Sequence, residues 1–220
     1  MHHAYANDRT AIARAFEGLH HPTLPPHLKE HVYKMMISGF LMGKIKCPND
    51  HQCRTCACPE ESTVHTFLEC KLAAATWKRV LNAWKRTTGE VVPLNHRTVL
   101  AGDRPMTHAG HTCFDYLEEP WRLVHAITAK SLWKNRNVVR AGKASKTAQQ
   151  IHDVVRRQLI EAADARLAYC RALDTAGHPA AQPGNAHALD TFHERWIASG
   201  LTRYTREGAH MLVRAHTHGF

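Results

Sequence analysis

Acid is scarce in this chain. Nineteen Asp and Glu stand against 29 Lys and Arg, giving a net charge of +10 and a pI near 9.5. That imbalance points to a polyanionic partner, most commonly nucleic acid, although surplus charge also serves solubility alone. Long apolar runs are missing as well. No apolar stretch approaches the length of about 18 residues at which a helix spans a bilayer, so no membrane-spanning helix and no membrane partner are expected. Catalytic signatures are absent in turn. There is no Tyr-x-Asp-Asp step to hold two divalent ions, and no Gly-x4-Gly-Lys-Ser/Thr phosphate cradle. Nucleophile elbow and His-Glu-x-x-His are missing too. Asp103 and Asp115 stand apart, without the clustered carboxylates of a metal-dependent nuclease. The expectation is a protein that is not an enzyme and has no small-molecule substrate. Residues 1–26 show no targeting pattern and a 220-residue chain can build a core without disulfides, so the expected compartment is nucleus or cytoplasm, not secreted.

Cysteine, by contrast, is concentrated. Five of the seven (Cys47, Cys53, Cys56, Cys58 and Cys70) fall within 24 residues, together with His51 and His65. Buried thiols acting as small hydrophobes need no such clustering, and a disulfide framework suits a small secreted chain better. The pattern C-x2-C-x8-H-x4-C over Cys53, Cys56, His65 and Cys70 supplies three thiols and one imidazole, a complete tetrahedral set for Zn²⁺. Four protein ligands leave no position for water, which makes such a site structural. Cys47 and Cys58 are close enough in sequence to substitute for one of the four. His65 and Cys70 are five apart, so one face of a regular helix cannot present both. A turn or a helix start is expected between them, with regular helix beginning around Cys70. The other histidines (19 in all) are scattered.

These residues resemble the zinc-binding region that follows the polymerase in reverse transcriptases of LINE-type, non-LTR retrotransposons. The family pattern of C-x2-C, an acidic loop, H-x-F-x-x-C and a later Trp is similar to Cys53, Cys56, Glu60 and Glu61, His65-Thr-Phe67-Leu-Glu-Cys70 and Trp77. A second stretch, Trp121 to Asn137 ending Trp133-Lys134-Asn135-Arg136-Asn137, resembles the family's W-K-x-R-N helix. The likeness covers roughly residues 28–140. Cys58 departs from it, since the family more often has Gly or a polar residue there. The resemblance implies a template RNA or target DNA as partner, and a polymerase domain beside it. It also admits a retroelement fragment without present function.

The chain reads as mostly α-helical, nucleated by one small CCHC zinc knuckle, with a helical hairpin downstream. Residues 1–26 hold a short helix, capped by Asn7 or Asp8, and a Pro-containing linker. Residues 27–88 form the zinc-binding unit. A helix from His27 to Gly43 precedes the metal loop, and another from about Ala73 to Thr87 follows it. Trp77 and Trp84 on that second helix are either platforms for base stacking or packing onto the next helix, and their helical spacing favours packing. Residues 89–115 form a loop-rich connector, with no more than a short strand at Val99-Leu100. Residues 116–174 form the hairpin: a helix over Trp121–Val139 capped near Asp115, a turn at Ala141-Gly142, and a long helix over Thr147–Asp174 capped by Ser145. Residues 175–220 are read as a flexible tail with a short helix around 191–198.

Lys130, Lys134, Arg136, Arg140, Lys143 and Lys146 gather at the hairpin's turn without an intervening acid. Cations at a helix C-terminus answer the macrodipole, and the same cluster suits phosphate contact. The expected function is a non-catalytic, zinc-stabilised nucleic-acid-binding module. The alternative is a structural or protein-interaction module docking on a polymerase domain.

Overall fold

The computed structural model describes residues 9–20, 24–37, 51–103, 117–175, 188–192, 195–196, 201, 203–207 and 210–214. The chain is mostly α-helical, as expected. Its helices are α1 (Arg9–Leu19), α2 (Pro26–Met36), α3 (Lys71–Thr88), α4 (His96–Ala101), α5 (Glu118–Arg140), α6 (Ala148–Thr175) and the short α7 (Ala188–Phe192). Asn7, Asp8, Cys47, Cys113, Asp115 and the stretch 38–43 lie outside the described residues.

The centre of the fold is α5. Between Glu119 and Leu132 every residue except Arg122 and Lys130 is buried, because α2, α3 and α6 pack around it. A helix enclosed this way needs apolar or internally satisfied residues all round. Its polar members meet that need: Thr128 Oγ1 donates to the Val124 carbonyl (2.7 Å), and His125 Nε2 bonds the Val99 carbonyl (2.8 Å). Trp121 Nε1 donates to the Gly102 carbonyl (2.9 Å), and its ring meets Trp84 edge-on with centroids 5.3 Å apart.

Several expectations are corrected. Val99-Leu100 belongs to helix α4, not to a strand. Asn95 Oδ1 caps it by accepting from the Thr98 amide (2.9 Å), and Gly102 ends it at φ +65°. The cap of α6 is Thr147, not Ser145. Gln150 N donates to Thr147 Oγ1 (3.2 Å) and Thr147 N donates to Gln150 Oε1 (2.8 Å), a reciprocal capping box. Ser145 instead accepts from Asn135 Nδ2 (3.2 Å), and Asn135 Oδ1 accepts from the Lys146 amide (2.9 Å), which clamps the turn between α5 and α6. Gly142 makes that turn at φ +78°, where the sequence placed it.

The region after residue 175 holds more than a flexible tail. Helix α7 (Ala188–Phe192) overlaps the start of the helix expected around 191–198, of which 193–194 and 197–198 lie outside the described residues, and Phe192, Trp196 and Leu201 are core residues. Arg195 Nη1 reaches the buried Glu119 carboxylate (2.9 Å), which Arg166 of α6 also approaches (3.2 Å), so one carboxylate ties α5 to α6 and to the C-terminal segment. Strands β1 (Arg203–Glu207) and β2 (His210–Arg214) pair antiparallel, with Arg203 opposite Arg214.

Candidate metal centre

Cys53, Cys56, His65 and Cys70 converge. One ligand atom from each lies within 4.8 Å of all the others, and Cys56 Sγ stands 3.3 Å from His65 Nε2. A tetrahedral ion at ordinary zinc–sulfur and zinc–nitrogen lengths sets ligand-to-ligand edges of roughly 3.4–3.8 Å, so the four atoms fit one with a small inward movement. Three of the residues are buried and Cys56 is half-buried. The group can therefore hold a metal ion.

Local backbone conformation explains the convergence. The first pair sits on a tight loop closed by two bonds, Ala57 N to the Cys53 carbonyl (2.8 Å) and Cys53 N to the Cys58 carbonyl (2.8 Å). Ala57 takes φ +60° to complete it, a conformation that costs a residue with a β-carbon about 1–2 kcal/mol. Cys58 stays outside the cluster, its Sγ directed to the Glu60 carbonyl (3.5 Å). The second pair is set by a π turn over His65–Glu69, in which Cys70 N donates to the His65 carbonyl (2.7 Å). An i to i+5 bond is the device that brings residues five apart together, and it is the expected turn. Ser62 starts this helical stretch by accepting from the His65 amide (3.0 Å). Cys70 then adopts an extended conformation as the residue before α3.

Burial raises the Cys53 thiol above its usual range, and lifts that of Cys70 to about 12. The effect of burial at Cys56 is outweighed by hydrogen bonds, foremost from the Cys58 backbone, so its thiol is lowered. Without an ion the buried pair stays protonated at neutral pH. Metal binding must displace those protons, so affinity falls as pH falls.

Around the centre, the motif residues become structural joints. Trp77, fully buried, donates its Nε1–H to the Phe67 carbonyl (2.8 Å) and so fastens α3 to the π turn. Phe67 wedges between His31 of α2, edge-on at 6.0 Å, and Trp133 of α5, stacked at 6.2 Å. Trp84 donates to Glu90 Oε2 (2.9 Å). Trp77 and Trp84 are both wholly enclosed, so they pack and offer no platform for bases.

The six cations expected at phosphates divide into two groups. Arg136, only 8% exposed, donates through Nε (3.0 Å) and Nη2 (2.6 Å) to Glu61 Oε2, and Arg140 Nη1 adds a third bond (2.9 Å). Arg136 also lies over the Trp133 ring, 4.7 Å from its centroid. These two arginines dock the metal loop onto α5. Lys134, Lys143 and Lys146 are exposed, and Lys130 is partly so. Lys130 and Lys134 stand beside His27 of α2, and partial burial followed by their positive charge lowers its pKa. Glu61 is the residue whose part the sequence left unassigned. The available signal was the Glu60-Glu61 pair between the two halves of the metal motif in a basic chain, and only the structure tells the buried Glu61 from the exposed Glu60.

Among the described residues no helix is long and apolar enough to cross a membrane. Comparison with protein-family models, with curated proteins and with solved structures finds no match to this chain.

Proposed function

We propose that the chain is a zinc-stabilised, non-catalytic nucleic-acid-binding module, of the kind that follows the polymerase in LINE-type reverse transcriptases. The observation that carries the metal half of this reading is the Cys53, Cys56, His65 and Cys70 cluster, whose three thiols and one imidazole suit Zn²⁺. The ion is structural: it fixes the loop against α3, and Glu61 fixes the same loop against α5. Zn²⁺ with three thiolates and a neutral imidazole carries a net charge of −1. Arg136 and Glu61 line a small cavity together with Cys53 and Cys70, and the group of Arg136, Arg140 and Glu61 carries one net positive charge beside that excess. The two stretches that resemble the retroelement proteins, 53–77 and 121–137, meet through Glu61–Arg136, Phe67–Trp133 and Trp77–His125. Their coming together supports reading them as one unit.

The nucleic-acid half rests on charge. Net charge is +10, and exposed Lys134, Lys143 and Lys146 flank the α5–α6 turn. The partner would be template RNA or target DNA. Docking on a polymerase domain is the alternative, and the large exposed apolar side chains it could use among the described residues are Tyr33, Ile37, Val91, Val138 and Tyr169. Fluorescence anisotropy of the zinc-loaded chain against a labelled 20-nucleotide RNA and a 20-base-pair DNA tests the reading. It expects binding to at least one, weakening steeply with added salt. Absence of binding to both at low salt contradicts it.

A further inference from the structure

The outer face of α3 carries a charge pattern that the α5–α6 cluster does not explain. Its exposed residues are Lys71, Ala75, Lys78, Arg79, Asn82, Lys85 and Arg86, five cations among seven with no acid. Acid is absent from the whole of α3. The cations recur at steps of seven, as Lys71, then Lys78 with Arg79, then Lys85 with Arg86. At 1.5 Å per residue these stations are about 10.5 Å apart and span about 22 Å along one side of the helix. Only the last pair answers the macrodipole, whose influence ends within a turn. Isolated helix stability does not account for the pattern either, because like charges at i, i+7 and i, i+8 bring no stabilising pair.

The neighbouring helix extends the field. Arg79 Nη1 donates to Gln149 Oε1 of α6 (2.7 Å), and Arg156 of α6 joins Arg79 and Arg86 around His152, buried in the seam between the two helices. Asp153 is the acid beside that imidazole, and it accepts from Gln149 Nε2 (2.9 Å). The opposite face of α3 is locked in place by the buried Val80, by Trp77 on the π turn and by Trp84 on Trp121 and Glu90. The cations are thus held on a rigid support, whose first turn begins at the metal-ligating Cys70.

We infer that the outer face of α3, with Arg156 beside it, is a binding surface for the phosphates of a nucleic-acid duplex. It rests on the nucleic-acid reading above and adds the surface and the form of ligand. Duplex follows from what the face lacks: none of its seven exposed residues is aromatic, so it has no plane for stacking the bases of a single strand. A straight row of cations without base-reading groups suits the dense charge of a duplex and reads no sequence.

The test compares the zinc-loaded full chain with K78Q/R79Q/K85Q/R86Q and with K134Q/K143Q/K146Q, all exposed substitutions. Helix content and zinc stoichiometry are checked for each. Anisotropy is read on a 20-base-pair DNA duplex, on one of its strands alone and on anionic lipid vesicles. Expected are tighter binding of duplex than of single strand and at least a tenfold loss in the α3 variant. Its log K against log salt slope should be shallower by about 3 to 4, near 0.9 per phosphate contact removed. An α3 variant that binds duplex like the parent overturns this inference. If the K134Q/K143Q/K146Q variant alone loses binding, the nucleic-acid reading survives without it. Preference for single strand, or for vesicles over duplex, also overturns it. A parent chain that binds no nucleic acid defeats both.

Discussion

At the scale of single residues, Glu61 matters most outside the candidate ligands. Its carboxylate accepts three hydrogen bonds from Arg136 and Arg140, and both it and Arg136 are withdrawn from water. Removing one member of a buried ion pair leaves the others desolvated without compensation, which typically costs 3–5 kcal/mol. Glu61→Gln is therefore expected to lower unfolding stability by about 3 kcal/mol in denaturant titration of the zinc-loaded chain. Glu60→Gln, at an exposed neighbour, should change it by less than about 0.5 kcal/mol. Equal effects of the two substitutions would show that the loop is not docked through Glu61. The cluster of Cys53, Cys56, His65 and Cys70 was legible as a candidate set, with Cys47 and Cys58 left as substitutes, because metal coordination restricts residue type and separation so tightly. The role of Arg136 was not. A cation in a run of cations looks solvated until the one acid that buries it, 75 positions away, is placed beside it.

At the scale of elements, helices whose apolar residues recur regularly were readable, whereas the enclosure of α5 on nearly all sides was not. Its polar residues His125 and Thr128 disguise a buried helix because each looks like surface until its partner is known. Likewise α4 was hidden by its brevity. Six residues between Asn95 and Gly102 give no periodicity to detect, and only the caps mark it. Aromatic residues beyond 190 were separated from the core by sequence alone, so their packing on α6 had no local signal. Two histidines hold elements together and make them sensitive to acid. Burial, opposed by a hydrogen bond to the Ala129 backbone, lowers the His31 pKa to about 4, and burial likewise lowers that of His125 to about 4. Both rings are neutral when folded but titrate near pH 6.5 in the unfolded chain. Unfolding therefore takes up protons in acid. The stability they contribute is present in full above about pH 6.5 and is lost as pH falls through about 4. Thermal unfolding between pH 7 and pH 4.5 should show a falling midpoint in the zinc-saturated protein. His31→Gln should flatten that slope, whereas parallel slopes would place the acid sensitivity elsewhere.

At the scale of the whole molecule, a short metal loop and a long helical bundle depend on each other. The bundle supplies α3 and α5, and the loop supplies the π turn, Phe67 and Glu61 that sit between them. Metal binding of this kind is coupled to folding, with apparent free energies of about 10–16 kcal/mol in zinc-finger peptides. Chelation should accordingly loosen the start of α3 and release the loop from α5, without abolishing the α5–α6 hairpin. The central claim, that Cys53, Cys56, His65 and Cys70 hold one zinc ion, is tested most directly by native mass spectrometry of the full chain purified without added zinc. The prediction is one zinc per chain, absent in Cys53→Ser and retained in Cys58→Ser. A folded, thiol-reduced chain that carries no metal would contradict it.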